Sequence, residues 1–283
     1  MSRSIRHACA LVTGASAGLG EEFALQLAPR AKHLVLVARR LELLERLAGR
    51  IRAEFPGTGV SVIAADLAVA AAREKLAFGL EEAGLVPDLL VNNAGLGDYG
   101  EFVTAEWPRL EAMLRVNVEA LTHLAHLLTP GMIHSGGGAV LNVSSLASLL
   151  PIPDFAVYAA TKAYVTSFSE ALRIELRDHG IEVLAVCPGP VHTEFGMVAR
   201  RDEKLPGMPA REWFYVPKAR VVAQSLAALD RKRARVYPGL KTAAAALVLS
   251  AMPLVLLRLV MGGRPRRGGS GGPSFQARAS SGL

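Results

Sequence analysis

Two cysteines in 283 residues leave the chain little to crosslink or to chelate with. Cys9 and Cys187 lie far apart, each in an apolar stretch, and read as buried small hydrophobes in a reducing compartment rather than as a disulfide. No run of His, Cys, Asp or Glu has metal-ligand spacing, so no metal is expected. The seven histidines, His123, His126 and His192 among them, read as surface or ordinary polar positions. A serine hydrolase would need one of them beside its nucleophile, and none has an evident partner. No GK[ST] follows the first glycine-rich loop, which excludes a P-loop. The opening "MSRSIRHACALVTG" runs directly into a strand-like segment without an apolar core long enough for export, so a cytoplasmic protein is expected. Acidic residues are missing altogether from Arg231 to Leu283, a stretch with ten Lys or Arg. The preceding part holds 22 basic and 25 acidic residues, a net −3 inside an overall +7. Such a split points to a tail that meets an anionic surface or is simply solvated. Aromatics interleaved with that basic tail are lacking, which argues against nucleic acid as a partner.

What is present is apolar and alternating. Hydrophobic residues make up 51% and charged residues 20%, enough for a sizeable core and against global disorder. Short apolar runs at 8–13, 33–38, 60–65, 88–93, 138–144 and 181–187 predict strands. They are continuous rather than alternating, as in a sheet covered on both faces. Between them, 20–30, 40–55 and 155–179 have helical spacing. Strand–helix alternation predicts an α/β fold with a parallel sheet, helices on both sides. The segment 190–219 follows the end of the sixth strand, where ligands bind in open α/β sheets, and is expected to form a substrate loop or a plain surface excursion. Residues 262–283 are rich in Gly, Ser and Arg and are expected to be disordered.

The loop "TGASAGLG" (13–20) follows the first strand and opens the first helix. Gly14, Gly18 and Gly20 are spaced G-x-x-x-G-x-G. Glycine permits close backbone approach, and a helix start offers free N–H groups to a pyrophosphate. Further on, Tyr158 and Lys162 are four residues apart in a helical segment and share a face. A free phenol titrates near ~10, and a neighbouring ammonium would lower it toward use as an acid–base group. Ser145, thirteen residues before Tyr158, ends the fifth strand, with Ser144 as its adjacent competitor.

Together with "NNAG" (92–95), Asn117, "YAATK" (158–162) and "PGPVHT" (188–193), these motifs resemble the classical subgroup of the short-chain dehydrogenase/reductase family, in order and spacing, over about residues 5–240. The resemblance implies a Rossmann-type doubly wound fold, a single domain with seven parallel strands, the seventh being "ARVYPG" (234–239). It implies an NADP(H) cofactor held by Gly14, Ser16, Ala17, Gly18, Leu19 and Gly20. Ala38 stands where an NAD-preferring enzyme has an acid, and Arg39 and Arg40 follow; guanidinium suits a 2′-phosphate, Arg39 being the better candidate. By the same resemblance Asp66 and Leu67 meet the adenine, and Asn93, Ala94 and Gly95 pass the adenosine ribose while Asn92 braces the sheet. Pro188, Gly189, Val191 and Thr193 line the nicotinamide end. Tyr158 is then the proton donor and Ser145 the binder of the substrate carbonyl. Lys162 is the residue that orients the nicotinamide ribose. Asn117 kinks its helix and holds a water linked to the lysine.

The expected activity is reduction of a ketone or aldehyde, or the reverse, on a lipophilic small molecule. The rival is a catalytically silent NADP-binding regulator or membrane-attached scaffold of the same fold. A homodimer or homotetramer is implied by the resemblance. The apolar run 242–261, with basic residues on both sides, predicts one C-terminal helix. Three placements stay open for it: lying on an anionic membrane, covering the pocket or a partner subunit, or spanning a bilayer, the last opposed by Pro253 and Arg258.

Overall fold

The computed structural model describes residues 7–201 and 214–262. Seven strands, β1 (His7–Thr13), β2 (Ala31–Ala38), β3 (Gly59–Ala64), β4 (Leu89–Asn92), β5 (Gly138–Val143), β6 (Ile181–Val186) and β7 (Arg235–Val236), form one sheet in the order β3-β2-β1-β4-β5-β6-β7. Every pairing is parallel. The order reverses between β1 and β4, and a crevice opens there beyond the carboxyl ends of the strands. The expected seventh strand is cut to two residues, because Pro238 lacks a ladder N–H and Gly239 turns the chain into the next helix.

The helices are α1 (Gly18–Leu27), α2 (Leu41–Glu54), α3 (Ala70–Glu82), α4 (Trp107–Leu114), α5 (Leu121–His134), α6 (Ala156–Leu176), the short α7 (Phe195–Val198), α8 (Lys218–Asp230), α9 (Leu240–Ala251) and α10 (Leu254–Gly262). Successive strand side chains point to opposite faces, so β1 serves two cores. Ala10 and Val12 pack with Phe23, Leu44, Ile51 and Leu226 from α1, α2 and α8. Cys9 and Leu11 pack with Leu76, Leu80, Leu124 and Met132 from α3 and α5. Each such leucine taken out of water contributes ~1.5–3 kcal/mol, and continuous apolar strands are what a sheet buried on both faces needs.

The predicted single C-terminal helix is two. Met252 is extended and Pro253 lacks the N–H that would continue the ladder, so α9 stops and α10 leaves at 116°. No single described helix is long and apolar enough to cross a membrane; α9 and α10 together have the length and composition but are bent. The tail beyond 262 and part of the predicted substrate loop lie outside the described residues.

Candidate active site

A cleft of about 1450 Å³ opens over the carboxyl ends of the strands. It exceeds the ~300–1,000 Å³ usual for one small ligand, which leaves room for two. One end is built by the loop after β1. Gly14 and Gly18 have φ of +65° and +62°, conformations that other residues rarely adopt. No side chain caps the first turn of α1, so its N–H groups stay free for an anion. Gly20, expected at the cofactor, is instead a packing residue: a Cβ there would sit 2.2 Å from the Gly14 carbonyl oxygen. The same loop spells G-x-S-x-G at 14–18, the spacing of a hydrolase elbow. The Ser16 hydroxyl, however, accepts from Arg40 (3.2 Å), not from a histidine.

Ser16, Ala17, Leu19, Arg39, Arg40, Asp66, Leu67, Asn93, Ala94 and Gly95 line this end as the sequence led us to expect. The Asn93 side chain faces away, donating to the Thr13 carbonyl (2.9 Å), while the Thr13 hydroxyl accepts from the Asn93 and Ala94 amides. That knot ties β1 to β4. Asn92 braces the sheet through Asn142 (3.0 Å). Asp66 accepts from the Ala68 amide (3.0 Å), as a turn-former does. Arg40 bridges the cleft to Glu194 (3.2 Å), whereas Arg39 is exposed, its side chain without a partner among the described residues.

At the other end Ser145 and Tyr158 come together, the serine hydroxyl near enough to favour the phenolate. Ser145 also accepts from the Ala147 amide (3.1 Å), which fixes its rotamer. Ser144 is excluded as the reacting serine. Its hydroxyl donates to the Lys162 carbonyl and pairs with Thr166 inside the core. Lys162 is buried and its Nζ donates to the Val143 carbonyl (2.8 Å), 5.7 Å from the Tyr158 ring centre.

The expected direction of the tyrosine shift is reversed: burial pushes the phenol up to about 12, against the pull of the Ser145 hydroxyl. Burial also brings Lys162 down to about 8. Both charged forms lose water, and one buried lysine does not replace it.

Asn117 does not reach the cleft. It lies in a π-wound stretch, Arg115–Ala120, between α4 and α5. Its amide pairs with both the Leu96 backbone N–H (2.8 Å) and carbonyl (2.9 Å), and donates to Thr161. The helix changes its winding at Asn117, and single π-wound stretches of this kind are frequent at functional sites.

Pro188, Gly189, Val191 and Thr193 line the cleft, and Gly189 is packed against Thr242 of α9. Sequence reasoning missed the aromatic cushion. Phe155 stacks on Tyr158 at 4.1 Å, and Tyr99 meets Phe155 edge-on at 5.8 Å. Phe155 is one helical turn before Tyr158, a spacing that signals such a contact. Of the placements left open for the C-terminal apolar run, covering the pocket is the one seen here: Val248, Leu249, Met252, Leu257 and Met261 of α9, α10 and their junction line the cleft. Asp98, fully buried, anchors the rim by accepting from Arg201 (2.5 Å) and Arg109 (3.1 Å).

A family model described as short chain dehydrogenase matches residues 8–204. A very-long-chain 3-oxoacyl-CoA reductase of Rattus norvegicus is 34% identical over 196 residues, 68% of this chain and 62% of that protein. The chain thus spans less than two thirds of the length of the curated relatives it matches. Among solved structures, a short-chain dehydrogenase from Sphingobium yanoikuyae in complex with NADPH is 32% identical, with a TM-score of 0.76 and coverage of 93% and 98%. A bulky-bulky ketone specific alcohol dehydrogenase from Comamonas testosteroni is 29% identical, with a TM-score of 0.73 over 93% and 97%.

Proposed function

The chain belongs to the short-chain dehydrogenase/reductase family, and from that premise we propose an NADPH-dependent reductase of a lipophilic ketone or aldehyde. The cofactor fits the residues present. The two positive-φ glycines and the uncapped start of α1 suit a pyrophosphate. The exposed Arg39, following Ala38 rather than an acid, suits a 2′-phosphate. The Sphingobium neighbour is an NADPH complex. Bound NADPH supplies the hydride.

The chain's own residues do the rest. Ser145 and Tyr158 offer two hydroxyls to one carbonyl oxygen and hold it as negative charge grows there. Tyr158, protonated throughout the neutral range, donates its proton to that oxygen. Lys162 donates to the nicotinamide ribose and sits behind the phenol as the nearest ammonium. The π-wound stretch at Asn117 offers a carbonyl for a water through which the proton is replenished.

The observation that carries this reading is the juxtaposed Ser145–Tyr158 pair at the base of an apolar cleft, with buried Lys162 beside the phenol. The names of the rat and Comamonas relatives, an oxoacyl-CoA reductase and a bulky-ketone dehydrogenase, support a large apolar carbonyl compound as substrate. The reading also includes attachment to an anionic membrane. Its support is the exposed apolar face of α9 and α10 (Leu240, Leu247, Val255, Leu259) beside Lys241, Arg258 and the acid-free C-terminal sequence.

The deciding experiment is Tyr158→Phe against a panel of ketones, with NADPH consumption as the readout. Turnover should fall by ~10²–10⁴-fold while NADPH binding persists. Unchanged turnover overturns the assignment. A wild-type protein that binds NADPH and reduces none of the panel is the silent scaffold instead.

A further inference from the structure

Of the three arginines that line the cleft, Arg40 is engaged by Ser16 and Glu194, and the side chains of the other two have no hydrogen-bonding or ion-pair partner among the described residues. Arg39 is at the adenosine end, where a phosphate accounts for it. Arg200 is at the opposite end and nothing yet accounts for it. Its backbone bridges to Tyr99, whose ring meets Phe155, which stacks on Tyr158. Its Nε–H is buried without a hydrogen bond. The next residue is the contrast. Arg201 is held by both oxygens of Asp98 and by the Glu101 carbonyl, and Asp98 also takes Arg109. The nearby carboxylate is thus already shared by two other arginines. The cleft that Arg200 lines is mostly apolar, with Leu96, Ile152, Phe195, Leu249 and Met261 among its other lining residues.

Guanidinium is a planar fork of donors that cannot shed its proton, and in an apolar wall it calls for an oxyanion. We infer that Arg200 is an anion subsite for the substrate: it takes a carboxylate or phosphate carried by an amphipathic carbonyl compound whose hydrocarbon part lies along α9 and α10. This deepens the reductase reading and rests on it for the position of the carbonyl. A neutral ketone leaves the buried N–H unsatisfied, so the charged member of a matched pair is the better substrate.

Two matched pairs test the subsite and separate its sources: 10-oxo-octadecanoate against its methyl ester, and a 3-oxoacyl-CoA against the same acyl group on N-acetylcysteamine. NADPH consumption gives kcat/KM for the full-length wild type, Arg200→Lys and Arg200→Gln. In wild type the charged member of one pair should lead by about tenfold, the scale of one charge-assisted hydrogen bond. That ratio should collapse toward one in Arg200→Gln and persist in part in Arg200→Lys. Collapse in the acid–ester pair assigns a carboxylate, and collapse in the thioester pair assigns a phosphate. Ratios that Arg200→Gln leaves unaltered in both pairs overturn the subsite while the reductase stands. Calorimetric binding of dodecanoate against dodecanol to the same variants is the check that needs no turnover. Arg200-dependent preference for dodecanoate with no ketone reduced upholds the anion site and removes the reductase. Equal binding of both by wild type, with no charge preference in turnover, overturns the site.

Discussion

At the scale of single residues, the pair Tyr158 and Lys162 is poised by dehydration. The phenol stands at about 12 and the ammonium at about 8, so a neutral solution finds both protonated. A buried phenol that keeps its proton is a donor suited to reduction. Oxidation of an alcohol needs the phenolate, which this site disfavours until further positive charge arrives. The two shifts act on stability in opposite senses. Between pH 8 and 10.5 the folded chain has released the Lys162 proton that the unfolded chain retains, so stability from this group rises with pH. Between 10 and 12 Tyr158 holds a proton that the unfolded chain has lost, and stability from it falls. Ligand linkage follows. In the proposed role Lys162 serves the ribose as an ammonium, so NADPH binding above pH 8 should take up a proton. Affinity should therefore fall by up to about tenfold per pH unit there. Calorimetry at pH 9 in two buffers of different ionisation enthalpy measures that uptake. Binding without proton uptake would contradict the depressed lysine.

At the scale of elements, an arginine holds the site's remote side together. Arg73 of α3 is fully buried and donates to the Leu67 carbonyl (2.6 Å), to His123 Nδ1 (3.0 Å) and to Glu119. It ties the Leu67 loop to the π-wound stretch and α5, and it makes His123 an acceptor, the ordinary polar position that the sequence left open beside a surface one. Arg73→Met leaves three acceptors without their donor, and the loss should be ~2–4 kcal/mol of stability. NADPH affinity should weaken as the Leu67 backbone loosens. Denaturant titration and cofactor titration read the two effects, and an unaltered midpoint would refute the tie.

Such ties mark where sequence reading stops. The first six strands and the order of the motifs are local patterns, and those strand boundaries shift by only one or two residues on folding. Arg73 to Glu119 spans 46 residues and Arg201 to Asp98 spans 103. Neither pair has a spacing rule to announce it. The tyrosine shift was misread for a related reason. Helical spacing gives the Lys162 neighbour but not the dryness around both side chains. In α9–α10, composition gave one helix, while the proline at 253 decided the bend.

At the scale of the whole molecule, charge is segregated. A body of net −3 precedes a C-terminal stretch with ten cations and no acid. The apolar residues Leu240, Leu247, Val255 and Leu259 are exposed within that stretch, each more than half accessible. In the membrane reading, the full-length protein should float with vesicles containing anionic lipid, stay behind with purely zwitterionic ones, and be released by salt as the Debye length shrinks from ~10 Å to ~3 Å. Leu247→Glu with Leu259→Glu should abolish flotation without altering the far-ultraviolet circular dichroism. Equal flotation on both vesicle types would sink the electrostatic part of that reading.

Asp98 has a final consequence. Its two arginines fix the chain at Arg201, and the Val216 amide, bonded to the Pro190 carbonyl (3.1 Å), fixes it again on return. Both posts are made by described residues, and neither borrows a hydrogen bond from Ser145 or Tyr158. A graft that keeps Asp98, Arg109 and Arg201 should therefore keep this clamp whole and leave the serine and tyrosine hydroxyls as they stand.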